Sequence, residues 1–295
     1  MKHSIKVTFF LLSVFFLAQL VGLKVVDNYL DREATLKTGV VAYKNLPYQI
    51  ERPDIKPEMS VWFIFAAIII GTGILLLMMK FGKVDLWRIW FFFSVLVTLS
   101  ISLFSFIHSQ LVSFLAAFGL AFWKAFRPNV IIHNLTEVFI YGGLAAIFVP
   151  IMNVAAASVL LIVISAYDMF AVWKSRHMVS LARFQTDANV FAGFYVPDGK
   201  PSGQLKLKKS RQSQLSVSSG GKGAVLGGGD IGFPLIFAGV VMKQAGFMHA
   251  LVIPFAAAVA LLGLLVLGEK NRFYPAMPFI SAACFIGYGI ITYVL

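Results

Sequence analysis

The stretch that decides the fold is "VLGGGDIGFPLIFAGVV", Val225 to Val241. An aspartate, Asp230, sits a few residues inside what otherwise reads as a membrane-spanning segment, behind the three glycines Gly227, Gly228 and Gly229. A carboxylate in hydrocarbon costs about 2.5 kcal/mol or more on insertion scales, so it normally has a task or a partner. The rest of the chain has to supply both.

The composition supports a membrane setting. Of 295 residues, 59% are hydrophobic and 13% charged, and the mean hydropathy is +0.84. Soluble domains are only about half apolar, and here the apolar residues run together in long blocks. A formal charge of +12 is what nucleic-acid binders carry, but in so apolar a chain basic residues mark cytoplasmic loops instead. The single cysteine, Cys284, lies in an apolar run, so neither a disulfide framework nor a cysteine metal site is available.

Windows of roughly 20 apolar residues predict an all-α polytopic membrane protein of nine spans: 5–26, 60–79, 86–107, 109–126, 130–149, 151–172, 224–242, 247–267 and 273–295. The first has the basic entry of a signal peptide (Lys2, Lys6) without a small-residue cleavage site, and is read as a helix. The fourth is short, and its Lys124 is expected to snorkel to the interface. The fifth is the most polar, with His133, Asn134 and Glu137 in its first turns; Glu137 reads as a buried partner for Lys124 or His133. With the N-terminus inside, the inner segments hold 18 of the 25 Lys and Arg. The positive-inside rule therefore predicts N-terminus inside and C-terminus outside. The expected organisation is a six-helix region (1–172), a flexible cytoplasmic loop (173–223) and a three-helix region (224–295) acting as one unit. Within the loop, rich in Gly, Ser and Lys, "QLKLK" at 204–208 and "QLSVS" at 214–218 alternate like marginal strands. Residues 27–59 form an outer loop.

The other aspartate within the spans is Asp168, in "LLIVISAYDMFAVW" (Leu160 to Trp173). The sixth span runs inward and ends about five residues after Asp168, while the seventh starts about six residues before Asp230. At about 1.5 Å rise per residue both carboxylates then lie roughly 8–9 Å from the inner boundary. Two consecutive antiparallel helices thus bring two acids to one depth. Facing carboxylates cannot easily both be charged, so they share a proton and titrate as a pair. Amide hydrolysis by water needs that arrangement: one member takes a proton from water, the other donates to the carbonyl oxygen. Glycines beside Asp230 admit a neighbouring helix or a substrate backbone. Pro275 and Pro278, near the start of the ninth span, free backbone carbonyls at the same depth, as a polar cavity requires. Tyr167 offers a hydroxyl or simply packs.

Tyr167-Asp168, the G-x-G-D of Gly227 to Asp230, and Pro-Ala-x-Pro at Pro275 to Pro278 together resemble the presenilin and signal peptide peptidase family of intramembrane aspartyl proteases. The resemblance implies that Asp168 and Asp230 are the catalytic dyad, with Tyr167, Gly227, Gly229, Pro275, Ala276 and Met277 in substrate binding and active-site support. Where the family has Pro-Ala-Leu, this chain has Met277, a change of nearly equal volume that implies altered substrate fit. The N-inside orientation and short inner loop look like a stand-alone prokaryotic, archaeal-type presenilin homologue. The implied partners are transmembrane protein substrates, their C-termini inside, and the lipid bilayer of the cell membrane. No cofactor, metal, nucleic acid or accessory subunit is expected.

Other motifs fail in context. Gly227-x-Gly229-x-x-Gly232 matches a dinucleotide fingerprint by letter but opens a membrane helix. "HNLTE" at His133 to Glu137 is not a zinc-protease H-E-x-x-H. Two alternatives remain open at this point. One is a prepilin-type peptidase, which also uses G-x-G-D. The other is a proton- or cation-coupled transporter or leak channel, with the aspartates carrying ions, although no repeat symmetry is visible.

Overall fold

The computed structural model describes residues 5–127, 129–175, 191–197, 223–268 and 274–294. Ten α-helices are present among them: α1 (Ile5–Tyr29), α2 (Arg32–Thr38), α3 (Pro57–Lys80), α4 (Val84–Ile107), α5 (Gln110–Phe126), α6 (Val130–Phe148), α7 (Val154–Phe170), α8 (Gly228–Ala250), α9 (Val252–Leu267) and α10 (Met277–Tyr293). Every predicted span contains one apolar helix. Six of these (α1, α3, α4, α6, α7 and α8) are long and apolar enough to cross a membrane, while α5, α9 and α10 are shorter apolar helices. Large side chains such as Phe9, Trp62, Ile70, Leu111 and Phe255 remain exposed, as lipid-facing surfaces require.

Two departures from an all-helical chain matter. The segment between α1 and α3 takes up structure of its own: β1 (Leu30–Asp31) pairs antiparallel with β2 (Ala42–Tyr43) around α2, and the Asp31 side chain caps α2 by accepting the Ala34 N–H. Arg52 pins this segment to the bundle by donating to the Ala146 carbonyl at 3.1 Å and the Lys44 carbonyl at 2.9 Å. On the other side of the bundle, β3 (Gly193–Pro197) pairs antiparallel with β4 (Gly223–Gly227), Gly193 opposite Gly227 and Pro197 opposite Gly223. The strands expected at 204–208 and 214–218 lie outside the described residues.

The main core joins α1, α6, α7, α8, α9 and α10, with Phe15, Leu23, Leu160, Ile231, Leu235, Phe237, Met277 and Ile280 all buried. Phe194 of β3 is fully buried in it. A second cluster ties α4 to α5 through Phe91, Leu99, Ala117 and Ala121. Without a hydrophobic drive between helices in lipid, close approach at small residues carries the association. At the crossing of α4 and α6, a Cβ added to Gly143 would lie 1.8 Å from the Thr98 carbonyl oxygen. That neighbour is backbone and has nowhere to turn. Gly143→Ala is therefore expected to part the two helices and destabilise the protein by about 1–3 kcal/mol, read as a lowered thermal midpoint in detergent. An unchanged midpoint would rule out this crossing.

Candidate active site

Asp230 is the third residue of α8, not the sixth or seventh, because Gly223–Gly227 leaves the strand ladder only at the helix N-cap, Gly227. Apolar letters in "GAVLG" made these residues look like membrane helix, whereas they pair with β3. The local logic is that of a capping box: the Asp230 carboxylate reaches back from the third helical position to the backbone N–H of Gly227. The glycines are needed for separate reasons. A Cβ on Gly227 would sit 3.3 Å from the Asp230 carboxylate, and one on Gly228 would sit 2.7 Å from the Tyr141 hydroxyl of α6. Gly229 is exposed, and a Cβ there would meet only the Phe233 ring, at 3.4 Å. Farther along α8, Pro234 has no N–H to give the carbonyl of Asp230, four residues earlier. Gln19 of α1 donates to the next carbonyl, that of Ile231, at 2.8 Å.

Asp168 lies near the C-terminal end of α7, just before a π-helical turn at Ala171–Ser175. It is 8% exposed, against 38% for Tyr167 on the outer surface of the same helix. Its Oδ2 accepts the Met277 N–H at 3.1 Å, and the Ala276 N–H adds a second backbone hydrogen bond. Met277 is the first residue of α10, whose own N-cap, Ala276, makes no side-chain capping bond. Asp168 thus caps α10 from another helix. Pro278 fits beside it because the first helical turn has no internal acceptor for its missing N–H. One turn away, the Ser165 hydroxyl donates to the Ser281 hydroxyl at 2.8 Å, fastening α7 to α10.

The two carboxylates are close enough to act on each other electrostatically. Each also faces a helix N-terminus, where free N–H groups and the macrodipole provide partial positive charge. Asp168, Asp230, Gly227, Ala276 and Met277 therefore converge, with the buried Pro275 leading into the same turn. Tyr167 does not join them. Asp168 lies about five residues before the end of the Val154–Trp173 span, as expected, whereas Asp230 lies at its helix end rather than six residues inside, and that shift comes from β4.

The polar face of α6 is the part that the sequence reading undervalued. Lys124 of α5 does not snorkel; it is 2% exposed and pairs with Glu137 at 2.7 Å. Its ammonium also reaches His133 Nδ1 at 3.1 Å and the Thr136 hydroxyl at 3.1 Å. Glu137 is met on its other oxygen by the Tyr141 hydroxyl and by the Gly193 N–H at 3.1 Å. His133 Nε2 donates to the Gly193 carbonyl at 2.7 Å, which leaves Nδ1 to accept from Lys124. Asn134 binds both backbone groups of Tyr195, accepting its N–H at 3.0 Å and donating to its carbonyl at 2.7 Å. A signal for this existed in the sequence: His133, Glu137 and Tyr141 recur every four residues, on one helix face.

The Ser165–Ser281 bond offers a test of the α7–α10 contact. Replacing either serine by alanine should cost about 0.5–1.5 kcal/mol, with the double variant hardly worse than either single one. Additive losses in detergent unfolding would show that the hydroxyls do not interact.

The profile of the family described as "Signal-peptide peptidase, presenilin aspartyl protease" matches residues 35–295. The fold is shared with two solved structures of "a presenilin family intramembrane aspartate protease". The one in space group P2 has a TM-score of 0.63 at 14% identity and covers 97% of both chains. The one in C222 has a TM-score of 0.61 at 13% identity and covers 95% of this chain and 94% of that one. Comparison with curated proteins returns no match. The chain belongs to the signal-peptide peptidase and presenilin family of aspartyl proteases.

Proposed function

We propose that this chain cuts peptide bonds inside the membrane-spanning segments of other proteins, with Asp168 and Asp230 as a proton-sharing dyad. One observation carries the reading: two carboxylates from α7 and α8 interact at the mouth of a strand-to-helix junction, each held on a helix N-terminus. One carboxylate takes a proton from water as its oxygen bonds to the substrate carbonyl carbon. The other carboxyl gives its proton to the carbonyl oxygen. Collapse of the tetrahedral species breaks the C–N bond as the nitrogen is protonated, leaving a carboxyl end, an amine end and the pair with one proton. Water and acid act together, so neither carboxyl suffices alone.

A helical substrate hides its carbonyls in its own hydrogen bonds and has to unwind first, and unwound backbone in a membrane needs new partners. The β3–β4 hairpin is suited to supply them. Asn134 occupies both backbone groups of Tyr195, so Tyr195 and its partner Val225 form a pair that does not bond across the ladder. The N–H and carbonyl of Val225 therefore point away from β3, and Val225 is half exposed. The substrate adds there as a further strand, three to five residues before Asp230.

In this reading the protein crosses the cell membrane nine times, N-terminus inside, as a six-helix region (1–172) and a three-helix region (224–295) acting as one unit. Substrates enter with their C-termini inside, and no cofactor or accessory subunit takes part.

With a membrane-spanning model peptide in detergent, mass spectrometry should find fragments from wild type. Asp168→Asn and Asp230→Asn should each lower turnover by about 10³-fold or more, and a hydroxyl-bearing transition-state mimic should bind wild type and lose affinity in both. Cleavage surviving either single change would sink the dyad. Val225→Pro, which removes the outward N–H while keeping the ladder, should cut kcat/KM by about tenfold, a hydrogen bond's worth in a dry site; an undiminished rate would remove the added-strand step.

A further inference from the structure

The buried charges on α5 and α6 are not used by the dyad, yet they form a connected set. Lys124, Glu137, His133 and Asn134 are each at most 8% exposed. Removing charges from water is unfavourable unless they are paired and hydrogen-bonded, so an expense on this scale is retained for something. What the set grips is specific. Glu137 and His133 hold the N–H and carbonyl of Gly193, and Asn134 holds the N–H and carbonyl of Tyr195. Alternate residues of β3 are thus bonded, on both backbone groups, to side chains of one helix. This is how a strand would be bound by a neighbouring strand, except that the acceptors and donors are fixed to a packed helix.

Gly193 is shaped for this grip. It has φ +134°, and a Cβ there would lie 2.2 Å from the Leu226 carbonyl oxygen. Lys124 neutralises Glu137 and orients His133, so the ammonium sets the direction of the groups that touch β3. From β3 the constraint passes through the ladder to β4, and the Gly228 N–H bonds the Ala192 carbonyl at 3.3 Å to close the junction. The Tyr141 hydroxyl, against Glu137, occupies the space that Gly228 leaves empty.

We propose that this polar face of α6, above all Asn134, is a register clamp that determines which peptide bond of a substrate is presented to the dyad. Asn134, His133 and Glu137 are positioning residues: they act through β3 and β4, not on the substrate. The proposal rests on the added-strand reading above. A strand can slip along β4 only in steps of two residues if the same side chains are to face the same way. A hairpin fixed to α6 presents one register, and a loosened one presents several.

The test compares wild type with Asn134→Ala and with Asn134→Leu, the second keeping the volume so that packing loss is separated from hydrogen-bond loss. Two quantities are read: amide hydrogen exchange in full-length protein, and the masses of fragments from a single-span model peptide. The expected result in both variants is exchange at Tyr195 faster by about fivefold to thirtyfold, with amides of α8 beyond Ile231 unchanged. The fragment ladder should broaden to cuts two residues to either side of the wild-type site. A fall in rate with an unaltered ladder overturns the proposal, since a merely structural role would do that. Unaltered exchange at Tyr195 overturns it as well. Wild type that cuts nothing fails the proteolytic reading and its cut selection together, while faster exchange in the variants would still establish the grip of α6 on the hairpin.

Discussion

A carboxylate that leaves water has to find hydrogen-bond donors, and this bundle supplies them from helix beginnings. The first turn of any helix carries N–H groups with no partner inside the helix. α8 offers its own to Asp230, and α10 offers its own to Asp168, which belongs to α7. Three helix ends are thereby drawn to one point, and the serine pair one turn away holds two of them there. The prolines around Met277 make sense in the same terms. They start α10 where its free N–H groups are wanted, and Pro278 costs little at that place.

The second constraint is that irregular backbone at membrane depth has to be buried in protein or line a cavity. The β3–β4 hairpin meets it on one edge through α6 and on one face through Phe194, which is fully buried. Buried charge on α5 and α6 follows from this need. A strand that has no neighbouring strand on one side needs donors and acceptors spaced along a helix, and His133, Asn134 and Glu137 provide them.

Much of this was legible in the letters. Two aspartates in apolar runs stand out because hydrocarbon tolerates no carboxylate without cause, and the glycines before one and the prolines in a third segment mark where backbones approach closely or lose their internal hydrogen bonds. The nine apolar blocks were legible for the same reason. The hairpin was not. "GAVLG" is apolar enough to pass for the start of a span, and its five residues are too few for an alternation to register. Its partner, Gly193–Pro197, lies some thirty residues upstream, and local periodicity carries no information about pairing at that separation. Lys124 misled because a basic residue near a helix end usually reaches water. Here an acid on the adjacent helix, Glu137, takes the ammonium at 2.7 Å instead. Glu137 as its partner was readable; the strand that both of them serve was not.

The layout also separates two kinds of inheritance. Asp168 and Asp230 stand on α7 and α8, whereas the side chains that hold the hairpin stand on α6, and no position is shared between the two sets. Tyr141 is the exception on α6: its hydroxyl bonds Glu137 and lies 2.7 Å from where a Cβ on Gly228 would stand, two residues before Asp230, so an inherited change there is felt at both sets, whereas one at Asn134 meets the strand.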